Sequence, residues 1–288
     1  TYNFQTAWQY GCVSALIPMI TLFAFRGRTI AWPWESQGLA SNVFLERIGY
    51  IIRHFSAVLF GFMIIVSLLL PLSHLLLNGR TWFDFLDAIQ AGSRSIFNSF
   101  WFAFLTATMV TLLGALTSSR KEFRLTWLFL FLPGVLLGVI CICIFNRPSL
   151  DWFYGGSCMV ITALGLRYFA FGWEGMREVK NSIDADLVSA TDLFGLPWWE
   201  RWRHLLQPQA GWAIIAVWYV IYLLCLWDTE TIVLIVPPGG ETLALRIFNL
   251  LHYGHHAQVN SLCLILLLLA LLPLLLGFVV RLLIKKWI

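Results

Sequence analysis

Seven stretches of this chain are each apolar over about 18 residues or more, and that constrains what it can fold into more than any other feature. They run Ala7–Phe25, Phe55–Leu77, Ile96–Thr117, Thr126–Asn146, Phe153–Phe171, Ala210–Trp227 and Val259–Val280. A hydrocarbon layer offers no water to backbone N–H and C=O groups, so a crossing chain must be helical or closed into a barrel. Runs such as Leu264–Leu276 are solidly apolar, without the alternation of barrel strands. The expected fold class is therefore all-α, a polytopic membrane protein. Only 12% of residues are charged, where a soluble domain has about a quarter.

Basic residues orient the spans, because they concentrate on the cytoplasmic side. If the segment before Phe55 is inside, 14 Lys and Arg residues fall inside and 4 outside, with Arg167 at the inner end of its span. The N-terminus then lies outside and the C-terminus in the cytoplasm. The net charge of +4 needs no nucleic-acid partner, since basic residues facing anionic lipid account for it. Thr1 follows no start signal, and the chain reads as the back part of a longer one.

Nothing in the sequence points to catalysis. There is no Gly-Lys pair for a phosphate-binding loop, no His-Glu-x-x-His and no Gly-x-Ser-x-Gly. All six cysteines lie in or beside spans and read as inert packing. His252, His255 and His256, with Tyr253 among them, read as a polar edge of an outer loop rather than metal ligands. Asp228, Glu230 and Glu241 read as solvated outer-loop carboxylates, with contact to a cationic solute or a docked binding protein as the alternative. Arg167 reads as a side chain reaching toward the interface, with pairing to a carboxylate as the alternative.

One long polar stretch stands out, the expected inside loop 172–209. Asp184 or Asp186 is placed to cap a helix running to about Phe194. Gly195 suits the position after that helix, where positive φ is required. Pro197 suits the first turn of a second helix carrying Trp198, Trp199, Trp202, Leu205 and Leu206, an interfacial helix leading into the next span. The product is a helix–turn–helix offered to the cytoplasm, a form suited to a partner's groove.

Within it, Ser189-Ala190-Thr191 is followed by Gly195, Leu205, Gln207 and Pro208. This resembles the signature loop of ABC-importer permeases: Glu-Ala-Ala, three residues, Gly, nine residues, Ile-x-Leu-Pro. Ala190, Gly195 and Pro208 fall on their places and Leu205 is a close substitute, whereas Ser189, Thr191 and Gln207 depart. Other segments are similar to the same family over roughly residues 55–285. They are Asn98-Ser99, Pro133-Gly134 through Gly138, Arg167-Tyr168, Trp227 through Glu230, Pro237 through Ala244, and Leu251 through Gly254. The later ones look like the branch that imports ferric iron.

The resemblance implies a type I permease core of six helices at residues 54–288, with coupling loop 172–209. Residues 1–25 would then hold the last span of a truncated first half, and 26–53 a cytoplasmic linker. It implies the permease subunit of an ATP-driven importer in a bacterial inner membrane, with ferric iron as solute. The partners implied are ABC ATPase subunits, an extracytoplasmic solute-binding protein, a second permease half or copy, and the lipid bilayer. The chain itself would hold no cofactor or metal, ATP being bound by the ATPase. Ser189, Ala190, Thr191, Asp192, Gly195, Leu205 and Pro208 would form the ATPase-coupling site. A family Glu at position 189 could make a charged contact that Ser cannot, with Asp186 or Asp192 as substitutes. The alternative is a transporter driven by an ion gradient. It calls for a carboxylate deep in a span, and no candidate span shows one.

Overall fold

The computed structural model describes residues 49–120, 126–254 and 256–287, with isolated helical positions at 9, 13, 16 and 20. The expected span Ala7–Phe25, most of linker 26–53 and His255 lie outside the described residues. Those described form helices and turns and contain no strand, as the unbroken apolar runs require. The chain is an all-α, polytopic membrane protein. Among the described residues four helices are long and apolar enough to cross a bilayer, or five spans if the bent pair Gly134–Phe145 and Pro148–Tyr154 is one.

Helix α1 spans Tyr50–Leu77 and none of its residues is buried. A short helix α2, Gly79–Phe83, turns the chain into α3, Phe85–Thr117. The expected surface loop before Ile96 is thus mostly the first turns of α3, so Arg94 and Ser95 sit on a helix and not in a loop.

The expected span Thr126–Asn146 is broken. Helix α4 covers Trp127–Phe131 and α5 covers Gly134–Phe145, with Leu132 and Pro133 extended between them at ψ 134° each. Proline forces this, because its ring disfavours helical geometry in the residue before it. A short helix α6, Asp151–Tyr154, follows a 104° bend.

Helix α7, Ser157–Asn181, begins later and ends some turns beyond the expected Phe153–Phe171. The polar loop is shorter by that amount, and Arg167 lies near the middle of α7 instead of at a span's end. Helix α8, Ala185–Leu193, forms a tip. Helix α9, Trp199–Trp227, runs unbroken from that tip into the bundle, so the expected interfacial helix and span Ala210–Trp227 are one rod. Within it Pro208 lacks an N–H and its ring would clash with a carbonyl one turn back. A π-turn over Trp202–Leu206 absorbs this, the Gln207 amide reaching back to the Trp202 carbonyl. Pro71 in α1 is accommodated by the same device over Ile65–Leu69. Helix α10, Leu243–His252, and α11, His256–Trp287, complete the chain.

The core forms where α3, α7 and α9 meet, around Phe102, Val110, Leu164, Ile221 and Leu226. Helices α3 and α7 cross closely because glycines face each other. A Cβ on Gly114 would overlap the Gly172 carbonyl, and one on Gly172 would lie 2.8 Å from the Val110 carbonyl oxygen. Small residues let membrane helices approach until backbones touch, where packing and not water exclusion holds them. The Trp173 indole adds a hydrogen bond of 3.1 Å to the Thr117 carbonyl, one of those left open at the end of α3.

Candidate functional site

Two places concentrate polar chemistry, one at the tip between α7 and α9 and one at the opposite end of α9.

At the tip, local sequence chemistry settles the shape. The Asp184 carboxylate accepts from the Asp186 amide at 2.9 Å, so of the two aspartates Asp184 is the N-cap. Helix α8 ends at Gly195, whose φ is +61°. The Leu196 amide closes back on the Thr191 carbonyl at 3.2 Å, which with the left-handed glycine makes a Schellman turn. Both ends of this short helix are thereby satisfied. The Gln209 side chain accepts from the Asp184 amide at 3.2 Å and ties the start of α8 to α9.

Of the expected coupling residues, Thr191 turns its hydroxyl back to the Val188 carbonyl, Ser189 is exposed, and Gly195 and Pro208 lie at the surface. Leu205 is buried, and it serves to seat α9 rather than to present a surface. Of Ala190 and Asp192 only the backbone is described, within α8. The residues most prominent in space are ones the motif does not include. Leu193 is 88% exposed and Phe194 80%, side by side at the turn.

At the far end of α9 the chain does not leave as a solvated loop. Asp228 follows Trp227, the last residue of α9, and its side chain is only 2% exposed. It accepts the Tyr168 hydroxyl at 2.7 Å, the Thr231 amide at 2.8 Å and the Thr231 hydroxyl at 2.8 Å. The Arg167 guanidinium lies 3.5 Å away, and also pairs with Glu230 at 3.2 Å and donates to the Thr231 hydroxyl at 2.9 Å. Glu230 in turn accepts from the Gly134 amide at 3.3 Å, the first N–H of the half-helix α5. The break before Gly134 therefore presents a helix N-terminus to a carboxylate. Gly134 is required there, because a Cβ would overlap Arg167 and crowd Glu230.

These contacts correct two expectations. Asp228 and Glu230 are not simply solvated, and Arg167 pairs with carboxylates instead of reaching for the interface. A signal for this was present: a lone Arg inside an apolar run needs a partner, and Asp228 and Glu230 follow the end of α9 at once.

The segment beyond folds back as a strap. Ile232 and Ile235 are buried, Ile235 beside Leu137, Cys141 and Met159. Asn98 on α3 then holds two carbonyls of the strap, Gly239 at 2.9 Å and Glu241 at 3.1 Å. The Ser99 hydroxyl accepts from the Leu243 amide at 2.6 Å. Glu241 pairs with Arg246 at 3.3 Å and accepts from Asn249, so it too is engaged. The Asn98-Ser99 and Pro237–Ala244 segments, distant in sequence, thus meet in one tether. His252 and Tyr253 are exposed at the end of α10.

No protein-family profile matches the chain. Its sequence is similar to permease proteins of solute transport systems. A candidate 2-aminoethylphosphonate transport system permease of Salmonella typhi is 26% identical over 204 residues, covering 68% of this chain and 74% of the relative. The corresponding protein of Salmonella paratyphi A is 25% identical over 199 residues, covering 68% and 73%. The spermidine/putrescine transport system permease protein of Haemophilus influenzae is 22% identical over 200 residues, covering 66% and 77%.

Proposed function

We propose that this chain is the permease subunit of an ATP-driven importer and that it grips a separate ATPase through the tip at residues 184–208. The observation that carries the reading is the pair Leu193 and Phe194. They are raised into the open on a helix capped at both ends, at the end where the basic residues place the cytoplasm. Large apolar side chains held out on a rigid turn are suited to a partner's groove. Gly195 sets the turn, Ser189, Ala190, Thr191 and Asp192 belong to the coupling segment of α8, and Leu205 and Pro208 lie where it joins α9. ATP is bound by the ATPase, and this chain holds no cofactor. An extracytoplasmic solute-binding protein, a second permease half or copy, and the lipid of a bacterial inner membrane complete the assembly. The N-terminus faces outward and the C-terminus the cytoplasm.

The similarities favour a small solute bearing an aliphatic amine over ferric iron. Aminoethylphosphonate, spermidine and putrescine share that group, and among the described residues no cluster of His, Cys, Asp and Glu is arranged to hold a metal.

The ion-gradient alternative calls for a carboxylate deep in a span, and the buried candidate, Asp228, lies at the end of α9. It accepts three hydrogen bonds and neighbours Arg167, which fits a structural tie better than an ion site.

The test is co-purification of a co-expressed ATPase with the chain and with its Gly195→Pro and Phe194→Ala variants. Proline cannot adopt φ of +61°. The reading expects retention by the unaltered chain and loss in both variants. Undiminished retention in both variants would overturn it.

A further inference from the structure

Helix α11 contains Pro273 in its interior. Proline has no N–H, so the carbonyl one turn back, that of Leu269, loses its regular helical donor. In a membrane such a carbonyl must find another partner. It receives the hydroxyl of Tyr222, at 2.9 Å. The adjacent carbonyl, Ala270, receives the hydroxyl of Tyr219 at 3.0 Å. Both tyrosines come from α9, three residues apart and so on one face. Tyr222 is fully buried and stacks on Trp218, which is itself tied to Thr108 of α3 at 3.0 Å. The gap that Pro273 leaves in the α11 ladder is therefore filled by side chains of a second helix.

That second helix carries the tip. Helix α9 is 29 residues long, about 43 Å of continuous rod. From the geometry we infer that Tyr219 and Tyr222 are positioning residues, which join α9 to the interrupted ladder of α11 at Pro273 so that displacement at the tip bends α11 there. The inference rests on the permease reading above for what moves the tip. The joint itself is independent of it. The interrupted turn is a place where α11 bends easily, because Pro273 has removed one bond of the ladder. The tyrosine hydroxyls select which bend is held.

The experiment is a double-mutant cycle between Tyr222→Phe and Pro273→Ala in the full chain assembled with its ATPase. The readouts are solute transported per ATP hydrolysed and SDS-induced unfolding of the chain alone. Tyr222→Phe removes the donor while keeping the ring and its stacking. It is expected to lower transport per ATP roughly three- to tenfold, the size of one interhelical hydrogen bond in a membrane. Pro273→Ala restores an N–H to Leu269, so in that background Tyr222→Phe is expected to have no further effect on either readout. Independent losses in the double variant would overturn the joint. Coupled unfolding with unchanged transport per ATP would overturn the positioning role and leave a structural bond. A chain that binds no ATPase at all would count against the permease reading, and the unfolding cycle would still decide the joint.

Discussion

The two carboxylates beside Arg167 should respond very differently to neutralisation, although they share one guanidinium. Asp228→Asn removes the charge from a side chain that is 2% exposed. Its amide nitrogen is a donor where the carboxylate oxygen accepted from Tyr168 and Thr231, so at least one hydroxyl or amide is left facing another donor. Arg167, only 15% exposed, would keep one partner that is itself open to the surroundings. Removing one member of a buried pair destabilises by about 3–5 kcal/mol.

Glu230→Gln is the control. Its side chain is 62% exposed, in the range where ion pairs contribute about 0–1 kcal/mol. Glutamine can still accept from the Gly134 amide, and Arg167 keeps Asp228. The assay is unfolding of the purified chain in mixed micelles with increasing SDS, followed by the emission of its 15 tryptophans. The expected result is a loss at least three times larger for Asp228→Asn than for Glu230→Gln. Equal losses would show that burial does not set the energetics of this network and would refute the reasoning.

Two further substitutions test the packing. Gly172→Ala should destabilise by about 1–3 kcal/mol or more, because the new Cβ meets the Val110 backbone, which cannot swing away. The same SDS titration reads it, and Gly211→Ala, where a Cβ meets only the flexible Gln207 side chain at 3.7 Å, should be nearly silent. Asn98→Ala frees the Gly239 and Glu241 carbonyls and should raise amide exchange across residues 236–243, measured by mass spectrometry, while leaving α7 protected.

The parts legible from sequence were those governed by local chemistry. A cap at Asp184 or Asp186, positive φ at Gly195 and the helical fold itself follow from single-residue preferences and from the bilayer's demand on backbone groups, and the structure selects Asp184. Span edges were less legible, because α3, α7 and α9 continue past their apolar runs into polar sequence. An apolar window sees hydrocarbon thickness, whereas a helix ends only where a cap or proline stops it. The break at Pro133 was missed for a related reason: composition is blind to ψ, and proline is tolerated within many membrane helices. The network around Arg167 was least legible. It joins positions 134, 167, 168, 228, 230 and 231, and nothing local in any of them reports the others. Arg167 carried a hint only through its cost in an apolar run. The apolar turn Leu193-Phe194 was in plain view, yet a motif reading gave weight to its neighbours instead.

Whether tip and bundle can move together depends on the weakest link between them, the π-turn at Trp202–Leu206. A wide turn alone would let α9 flex and would dissipate a displacement before it reached Tyr219. It is not alone. Met176 and Val179, near the end of α7, are buried against Ala210, with Ala213 and Ile214 packed alongside, just beyond the π-turn. Next to Ala210, and likewise beyond the π-turn, Gln209 holds the Asp184 amide at the root of α8. Force applied at Gly195 thus reaches α9 by two routes: through Pro197 and the π-turn, and through the root of α8 directly into Gln209. The second route bypasses the soft segment. At the opposite end α9 stops at Trp227 against Asp228, whose bonds to Tyr168 and Arg167 are on α7 as well. Helices α7 and α9 are therefore tied to each other near both ends of α9, at the end of α7 and at its middle. The freedom that remains lies outside that pair, in α11 at Pro273, where a helical bond is already missing. A partner that moves the tip would accordingly act on the bundle at the tyrosine joint.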